Sequence, residues 1–307
     1  MRRLSVLAGS FSLPAAASIA ADPGLTDGDV VECVAYLVSK SLISVDLSGA
    51  VTWYRLLETT RAYAREKLAE SGEVERFRRR HAEYFRDLVQ RADTEWRAQP
   101  TAEWLATYGP QLDDLRAALD WAFAPEGDAA LGVALTIAAV PLWFQLSLLG
   151  ECRARVERAL STLTAMADRD THGELQLQAA LGWSLMYTTG PARETGAAWA
   201  SALQLAERLE DTDYQLRGLW GLWAVHINNG EFRQALQLAE KFGTVATKAS
   251  DPADPLIGER MLGATLHFLG EQTLARDHLE RMLERYVGPP NGRTSYASSS
   301  TSESPPE

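Results

Sequence analysis

The stretch "NGEFRQALQLAE", residues 229–240, places a glycine directly before an amphipathic helix. Glycines recur at this point of the pattern every 40 residues, at Gly150, Gly190, Gly230 and Gly270. Each glycine can adopt the positive φ that ends one helix and turns the chain into the next. A 40-residue period of helix, turn and helix predicts an α-solenoid, in which each helical pair covers the apolar face of its neighbour.

Tryptophans mark the same period and supply candidate binding residues. Three of them lie seven residues before the first three glycines, at a position that is usually small in tetratricopeptide (TPR) repeats, and only Gly263 restores a small residue there. Core packing is the favoured interpretation of these rings, and a pocket for an apolar ligand or peptide is the alternative. The candidate ligand or partner surface consists of Trp143, Trp183, Trp220, Trp223 and His226.

The N-terminal part of the chain predicts a different unit. Val30, Val34 and Leu37 share one helical face after Asp29, which is suited to cap that helix. Two short β-like runs, 42–45 and 51–56, then flank a turn of small residues. Three helices, a hairpin and a further helix form the order of a winged helix.

These patterns predict an all-α protein with one short β-hairpin. We place a winged-helix-like domain at 1–70, a helical linker at 71–126 and four TPR-like helical pairs at 127–287. The Ser/Pro-rich residues 288–307 are predicted to be a disordered tail, because they almost lack large apolar groups.

The first 24 residues, "MRRLSVLAGSFSLPAAASIAADPG", fit two structures. The arginines, apolar stretch and small residues are typical of a secretory signal peptide cleaved after "SIA". Alternatively, Leu4, Leu7 and Phe11 share one helical face, and Ser12 caps a second helix with Pro14 in its first turn. We favour the helices, because removal of residues 1–20 would take away two of the three helices against which the hairpin must pack.

Residues 131–150 form an uncharged stretch long enough to span a bilayer. Trp143 and Gly150 are nevertheless in phase with the later repeats, and Pro141 interrupts the apolar run. We therefore interpret this stretch as a buried first repeat and not as a membrane helix.

Composition argues against several kinds of function. The formal net charge is −11, and most of the acidity lies in the C-terminal two thirds, where it repels nucleic-acid phosphates. Cys33 and Cys152 are far apart and form no disulfide framework or metal motif. The five histidines lack metal-ligand spacing, and "RFRRRH", residues 76–81, is surrounded by acidic residues that predict a solvated or internally paired face.

Three segments carry a family resemblance. They are "RRLSVLAGSFSLPAAASIA" (2–20), "VVECVAYLVSKSLISVD" (30–46) and "YRLLETTRAYAREKLAESGEVERFRRRHAEYFRDL" (54–88). Together they resemble the region that follows the nucleotide-binding module in bacterial STAND-type ATPase transcriptional regulators of the AfsR/SARP, LuxR and maltose-regulator groups. The resemblance is specific over 1–97 and general over 98–287. It implies a winged helix, a helical linker and TPR-like repeats that sense a ligand or protein.

One departure from that family decides the expected chemistry. The sequence contains no G-x-x-x-x-G-K-[ST] motif, and the pair Lys40-Ser41 follows no glycine loop. We therefore expect no nucleotide cofactor, no metal, no catalytic residues and no enzyme activity in this chain.

The resemblance implies the non-catalytic sensor or protein-interaction portion of a cytoplasmic regulator, in truncated or split form. Its expected partners are a protein or small effector on the solenoid and a nucleotide-binding module encoded elsewhere. Direct DNA contact is not expected, because the recognition helix at 29–40 sets a lone Lys40 against Asp29 and Glu32. Membrane binding is not expected either. The alternatives are a free-standing TPR-like adaptor and a secreted helical-repeat binding protein.

Overall fold

The computed structural model describes residues 1–49, 51–96, 99–166 and 170–285. The tail predicted at 288–307 lies outside the described residues. The chain divides into two compact units, residues 1–148 and the residues from 149 onward. The predicted fold class is confirmed, since the described residues are helical apart from one two-stranded antiparallel sheet and connecting turns.

The first unit begins with a 3-10 helix, Arg2–Val6, and contains seven α-helices and the hairpin. Its elements are α1 (Leu13–Ala20), α2 (Asp27–Ser39), β1 (Ile43–Asp46), β2 (Trp53–Leu56), α3 (Glu58–Glu70), α4 (Val74–Trp96), α5 (Thr101–Tyr108), α6 (Leu112–Ala122) and α7 (Ala129–Gln145). A short 3-10 turn, Gly109–Gln111, joins α5 to α6. Helix α4 packs against α1, α5, α6 and α7 and therefore forms the centre of this unit.

The opening segment is part of the fold, as predicted. Leu4, Leu7 and Phe11 are each at most 2% exposed, and the Ser12 hydroxyl accepts a hydrogen bond from the Ala15 amide at the start of α1. The first predicted helix is only a 3-10 turn, however. Phe11 lies beyond it in extended backbone and forms two backbone hydrogen bonds with Tyr54. This isolated antiparallel β-bridge pairs Phe11 with strand β2 of the hairpin.

The cap of α2 differs from the prediction. Thr26 is the N-cap residue, three residues before Asp29, and its side chain accepts the Asp29 amide. The Asp29 carboxylate accepts the Thr26 amide in return, which completes a capping box. Asp29 was therefore wrong as the N-cap but does stabilise the first turn.

Helix α7 contains the long apolar stretch. It packs against α4 and α6, with Leu135, Ala139 and Trp143 fully buried. None of the helices in the described ranges has both the length and the apolar character needed to cross a membrane. Helix α7 thus belongs to the first unit, although we place residues 127–287 together as repeats; those domain bounds remain a prediction.

The second unit is a series of antiparallel helices. They are α8 (Leu149–Ala165), α9 (Thr171–Thr188), α10 (Arg193–Arg208), α11 (Thr212–Asn228), α12 (Phe232–Ala246), α13 (Asp254–Leu269) and α14 (Gln272–Arg285). Each helix packs against the next one in sequence, and α9 also contacts α11. This nearest-neighbour packing is that of an α-solenoid.

Three of the four periodic glycines lie in the predicted turns. Gly190, Gly230 and Gly270 follow α9, α11 and α13 with φ between 75° and 88°. Gly150 is wrong as a turn residue, because it is the second residue of α8. The positive φ after α7 belongs to Ser147, at 57°, three residues earlier than the period requires.

Candidate functional site

The predicted surface residues separate into two groups. Trp143 lies on α7 in the first unit and is fully buried. Trp183 on α9 and Trp220, Trp223 and His226 on α11 lie in the second unit. Trp183, Trp220 and Trp223 are 5–8% exposed, so their rings belong to the core between the repeats.

An aromatic cluster joins α9, α10 and α11. The rings of Trp183 and Trp220 stack with centroids 4.8 Å apart, and Trp199 on α10 meets Trp183 edge to face at 5.4 Å. Trp223 tilts against Trp220 at 6.4 Å. Trp199 is the fully buried centre of this cluster, and sequence reasoning missed it.

Two helical glycines make room for Trp199. A Cβ atom at Gly182 of α9 would lie 2.6 Å from the indole ring, and one at Gly221 of α11 would lie 2.2 Å from it. The ring therefore occupies a slot between two backbones. A glycine within a helix lowers the helix stability by about 1 kcal/mol relative to alanine, so it usually has a packing reason. Gly182 and Gly221 were therefore the sequence features that indicated a large side chain nearby.

The indole N–H groups of the cluster are unequally satisfied. The Trp223 Nε1–H donates to Thr265 Oγ1 on α13 at 2.8 Å. Trp183, Trp199 and Trp220 have no hydrogen-bond acceptor for Nε1 within the part of the chain that the structure describes. A buried unpaired donor reduces stability by about 1–3 kcal/mol, so tight ring packing must offset this loss.

His226 spans a turn between helices. Its Nδ1 pairs with the Glu231 carboxylate at 2.5 Å, and His267 pairs with Gln272 in the same way at 2.8 Å in the next repeat. Each of these histidines is therefore hydrogen-bonded to a residue five positions later. In the described ranges no group of three or more His, Cys, Asp and Glu side chains is placed to hold a metal ion.

The two cysteines have different surroundings. Cys152 is buried on α8, and burial raises the pKa of its thiol to about 12, which keeps it protonated and unreactive. Cys33 is exposed on α2.

The outward face of α2 is acidic and apolar. Asp29 and Glu32 are exposed on it, and Tyr36 is 62% exposed. Lys40 lies at the end of the helix and stacks over the Tyr36 ring at 5.3 Å. A helix that reads the major groove presents Arg, Lys or amide side chains, and this face presents none of them along its length.

The arginines of residues 76–81 are paired within the first unit, as predicted. Arg76 pairs with Asp22 at 3.4 Å, Arg79 pairs with Asp128 at 2.7 Å, and Arg80 donates to the carbonyls of Ser18 and Ala21. Arg78 makes a longer contact of 3.6 Å with Glu75. Arg76 and Arg80 therefore join α4 to the N-terminal segment, and Arg79 joins it to the start of α7.

A buried carboxylate connects the winged-helix region to the linker helices. Asp114 on α6 is fully buried and accepts the backbone amides of Ala8 and Gly9 at 2.6 and 3.0 Å. His81 on α4 is 3% exposed, and its Nε2 lies 2.8 Å from Asp114 Oδ1. Since an ionised carboxylate only accepts, His81 Nε2 carries the proton. Three donors thus converge on one anion and hold α4, α6 and the 8–9 loop together.

Asp254, at the start of α13, gives a pH-dependent prediction. Burial and the nearby Asp251 and Asp213 carboxylates raise its pKa to about 6, against the opposing effect of Arg217. Because the pKa is raised, the folded protein binds this proton more tightly than the unfolded chain does. Protonated Asp254 therefore adds its full contribution to the free energy of unfolding below about pH 4, and this contribution is lost as the pH rises through 6. We expect Asp254→Asn to increase the free energy of unfolding by about 1–3 kcal/mol at pH 7.5 and to change it little at pH 4.

Urea unfolding at the two pH values measures this difference. Asp277→Asn, on exposed α14, is the control and should give a difference that does not depend on pH. Equal effects of the two variants at pH 7.5 would contradict the assignment.

Comparison with known proteins identifies the first 69 residues of the chain. The winged helix-turn-helix domain family matches residues 1–69. These residues are a winged helix-turn-helix domain. In this domain α2 occupies the position of the recognition helix, and β1 and β2 form the wing.

Part of the chain is also similar to proteins named as HTH-type transcriptional regulators. An HTH-type transcriptional regulator of Mycobacterium tuberculosis H37Rv is 35% identical over 143 residues, which are 47% of this chain and 16% of the regulator. An HTH-type transcriptional regulator of Mycobacterium bovis matches to the same extent. The matched segment therefore spans about a sixth of the length of these relatives.

Two solved structures share the helical-repeat fold. BtubC (BKLC) from P. vanneervenii superimposes with a TM-score of 0.53 at 16% identity, covering 75% of this chain and 95% of BtubC. A Podospora anserina kinesin light chain with nearly identical TPR-like repeats gives a TM-score of 0.52 at 14% identity, covering 66% of this chain and 95% of that one. At these identities the likeness concerns the fold, and the repeats of this chain are TPR-like.

Proposed function

We propose that this chain is the non-catalytic sensing and protein-interaction portion of a STAND-type transcriptional regulator in truncated or split form. The observation that carries the proposal is the contact of Asp114 with Ala8, Gly9 and His81. These contacts fix the winged helix-turn-helix domain to helices α4 and α6. A fixed domain of this kind suits the transmission of a signal between domains better than DNA binding by a domain on a flexible linker. The TPR-like repeats then supply the protein-interaction surface.

The proposed role needs no cofactor in this chain. The sequence lacks the glycine-rich loop and lysine that hold nucleotide phosphates, so the proposed nucleotide-binding module lies outside these 307 residues. The location that follows from this role is the cytoplasm.

The winged helix-turn-helix domain is proposed to contact protein instead of DNA. Its exposed apolar side chains include Tyr36 at 62% and Leu47, at the wing, at 73%. Together with Asp29 and Glu32, Tyr36 forms a mixed acidic and apolar face of α2 that suits a basic, partly apolar protein surface.

An electrophoretic mobility assay tests the DNA part of this proposal. We expect no retardation of duplex DNA by the full chain at about 1 µM in about 50 mM salt, conditions that favour binding by a basic reader. Retardation of a defined sequence that disappears in the Lys40→Glu variant would contradict it.

Co-expression with an adjacently encoded P-loop ATPase tests the partner. We expect a complex on size exclusion, and we expect Tyr36→Glu to disrupt it because a charge enters an apolar contact. Tyr187→Glu, at a tyrosine of the repeats that is 53% exposed, is the matched control and should leave this complex intact. Failure of the wild-type chains to associate would favour the free-standing adaptor instead.

The repeats are proposed to dock a second protein through the edge of the aromatic cluster. Trp183, Trp220 and Trp223 act indirectly, since their buried rings fix α9 and α11. His226 and Tyr187 are accessible at the ends of these helices and are the residues proposed to touch the partner. Trp143 serves the first unit and is no longer part of this proposed surface.

A further inference from the structure

A cleft of about 600 Å³ lies where the winged helix-turn-helix domain meets α4 and α6. The 3-10 helix and α3 form one side of the cleft, and α4 and α6 form the other. Its apolar walls are Val6, Leu68, Val74 and Ala117, with Trp121 from the end of α6. A cavity of this size and composition suits a small organic molecule.

Two arginines line this cleft from opposite sides. Arg65 projects from α3 and Arg78 from α4. Arg65 donates through Nε to the Ser5 carbonyl at 3.3 Å, and its two terminal nitrogens have no hydrogen-bond or carboxylate partner among the residues that the structure describes. Arg78 has only the 3.6 Å contact with Glu75, whose other carboxylate oxygen accepts the Trp121 Nε1–H.

The arginines also repel one another. Burial together with the charges of Arg61 and Arg78 lowers the pKa of Arg65, and the Glu58 carboxylate only partly offsets this. A cation whose charged form is disfavoured by neighbouring cations is stabilised by an added anion. Guanidinium groups bind carboxylates and phosphates in a bidentate manner, which makes Arg65 a suitable anchor for either group.

The floor of the cleft contains a further polar group. His81 is 3% exposed and lines the cleft, and its Nε2 is committed to Asp114. With the proton on Nε2, Nδ1 is an acceptor and can take a hydrogen bond from an O–H or N–H group of a ligand. Buried polar groups are normally hydrogen-bonded. A histidine that is more than nine-tenths buried, with one ring nitrogen bonded and the other at the base of an arginine-lined cleft, is therefore typical of a binding site.

We propose that this cleft binds a small organic anion, with its phosphate or carboxylate group on Arg65 and Arg78, its apolar body against Leu68, Val74 and Ala117, and, in a ligand that carries one, an O–H or N–H group that donates to His81 Nδ1. The ligand would bridge α3 of the winged helix-turn-helix domain and α4 of the linker. Binding would therefore stabilise their junction and give the regulator an effector site separate from its repeats. The proposal does not depend on the nature of the protein partner.

Isothermal titration of the full chain with phenyl phosphate tests the site, with benzoate and inorganic phosphate as further ligands and phenol as the neutral one. We expect phenyl phosphate or benzoate to bind, inorganic phosphate to bind more weakly because it lacks the apolar body, and phenol not to bind. Arg65→Gln and Arg78→Gln should each weaken binding about tenfold, and Arg55→Gln, at an exposed arginine of β2, should leave it unchanged.

Asp120 provides a test of opposite sign. It lines the cleft on α6, so Asp120→Asn removes a negative charge near the anion and should strengthen binding about two- to fivefold. Ala117→Phe fills the cleft without changing its charge and should abolish binding. This variant keeps the proposal testable if an arginine variant fails to fold. Equal affinity in wild type, Ala117→Phe and Arg65→Gln, or no binding of any of the anions to the wild type, would overturn the proposal.

Discussion

Replacing Asp114 with alanine should lower the free energy of unfolding of the first unit by about 3–5 kcal/mol. The substitution removes the acceptor of the Ala8 and Gly9 amides and leaves the buried His81 without its partner. Buried donors that lose their acceptor keep the full desolvation cost, so the loss exceeds that of a surface ion pair.

Hydrogen exchange measured by mass spectrometry localises this effect. In Asp114→Ala the amides of residues 1–20 should exchange faster, while those of α9–α12 keep their wild-type rates. Asp113→Ala is the matched control, because Asp113 is exposed and bonds only Arg116 on its own helix at 3.3 Å. Similar exchange rates in the two variants would show that Asp114 does not hold the N-terminal segment.

Replacing Gly221 with alanine should destabilise the repeats by about 3 kcal/mol or more. The new Cβ would lie 2.2 Å from the Trp199 ring, and the ring cannot retreat because the Gly182 backbone closes the other side of its slot. Alanine is otherwise the better helix former by about 1 kcal/mol, so the sign of the measured change reports the clash directly.

Two further variants isolate this clash. Gly196→Ala on α10 is the control, because its Cβ would meet only Val225 at an ordinary 3.7 Å, and it should be neutral or stabilising. In a Trp199→Ala background, itself expected to lose about 3–5 kcal/mol, Gly221→Ala should cost almost nothing more. Urea unfolding of the wild type, Gly221→Ala, Trp199→Ala and the double variant measures the coupling between the two sites. Additive effects of the two substitutions would contradict the proposed slot.

The repeat architecture was predictable because its determinants are local. Gly190, Gly230 and Gly270 each end a helix at positive φ, which glycine adopts without steric cost. The period failed at Gly150, where Ser147 takes the positive φ and α8 begins earlier. A serine in that conformation carries no sequence signal comparable to glycine.

The candidate site was only partly predictable. The periodic tryptophans were found, but Trp199, against which Trp183 packs, lies outside the period and was detectable only through Gly182 and Gly221. The extended pairing of Phe11 with Tyr54 and the convergence on Asp114 involve residues 33 or more positions apart. Periodicity within one helix contains no information on such contacts.

The position of Asp114 also bears on the order in which the chain folds. Its bond to the Ala8 amide spans 106 positions, so the winged helix-turn-helix domain leaves the ribosome long before its last hydrogen-bond acceptor is synthesised. We expect the nascent domain to stay loosely formed, and open to chaperones or proteases, until α6 emerges. A polypeptide ending near residue 70 would remain permanently in that immature state.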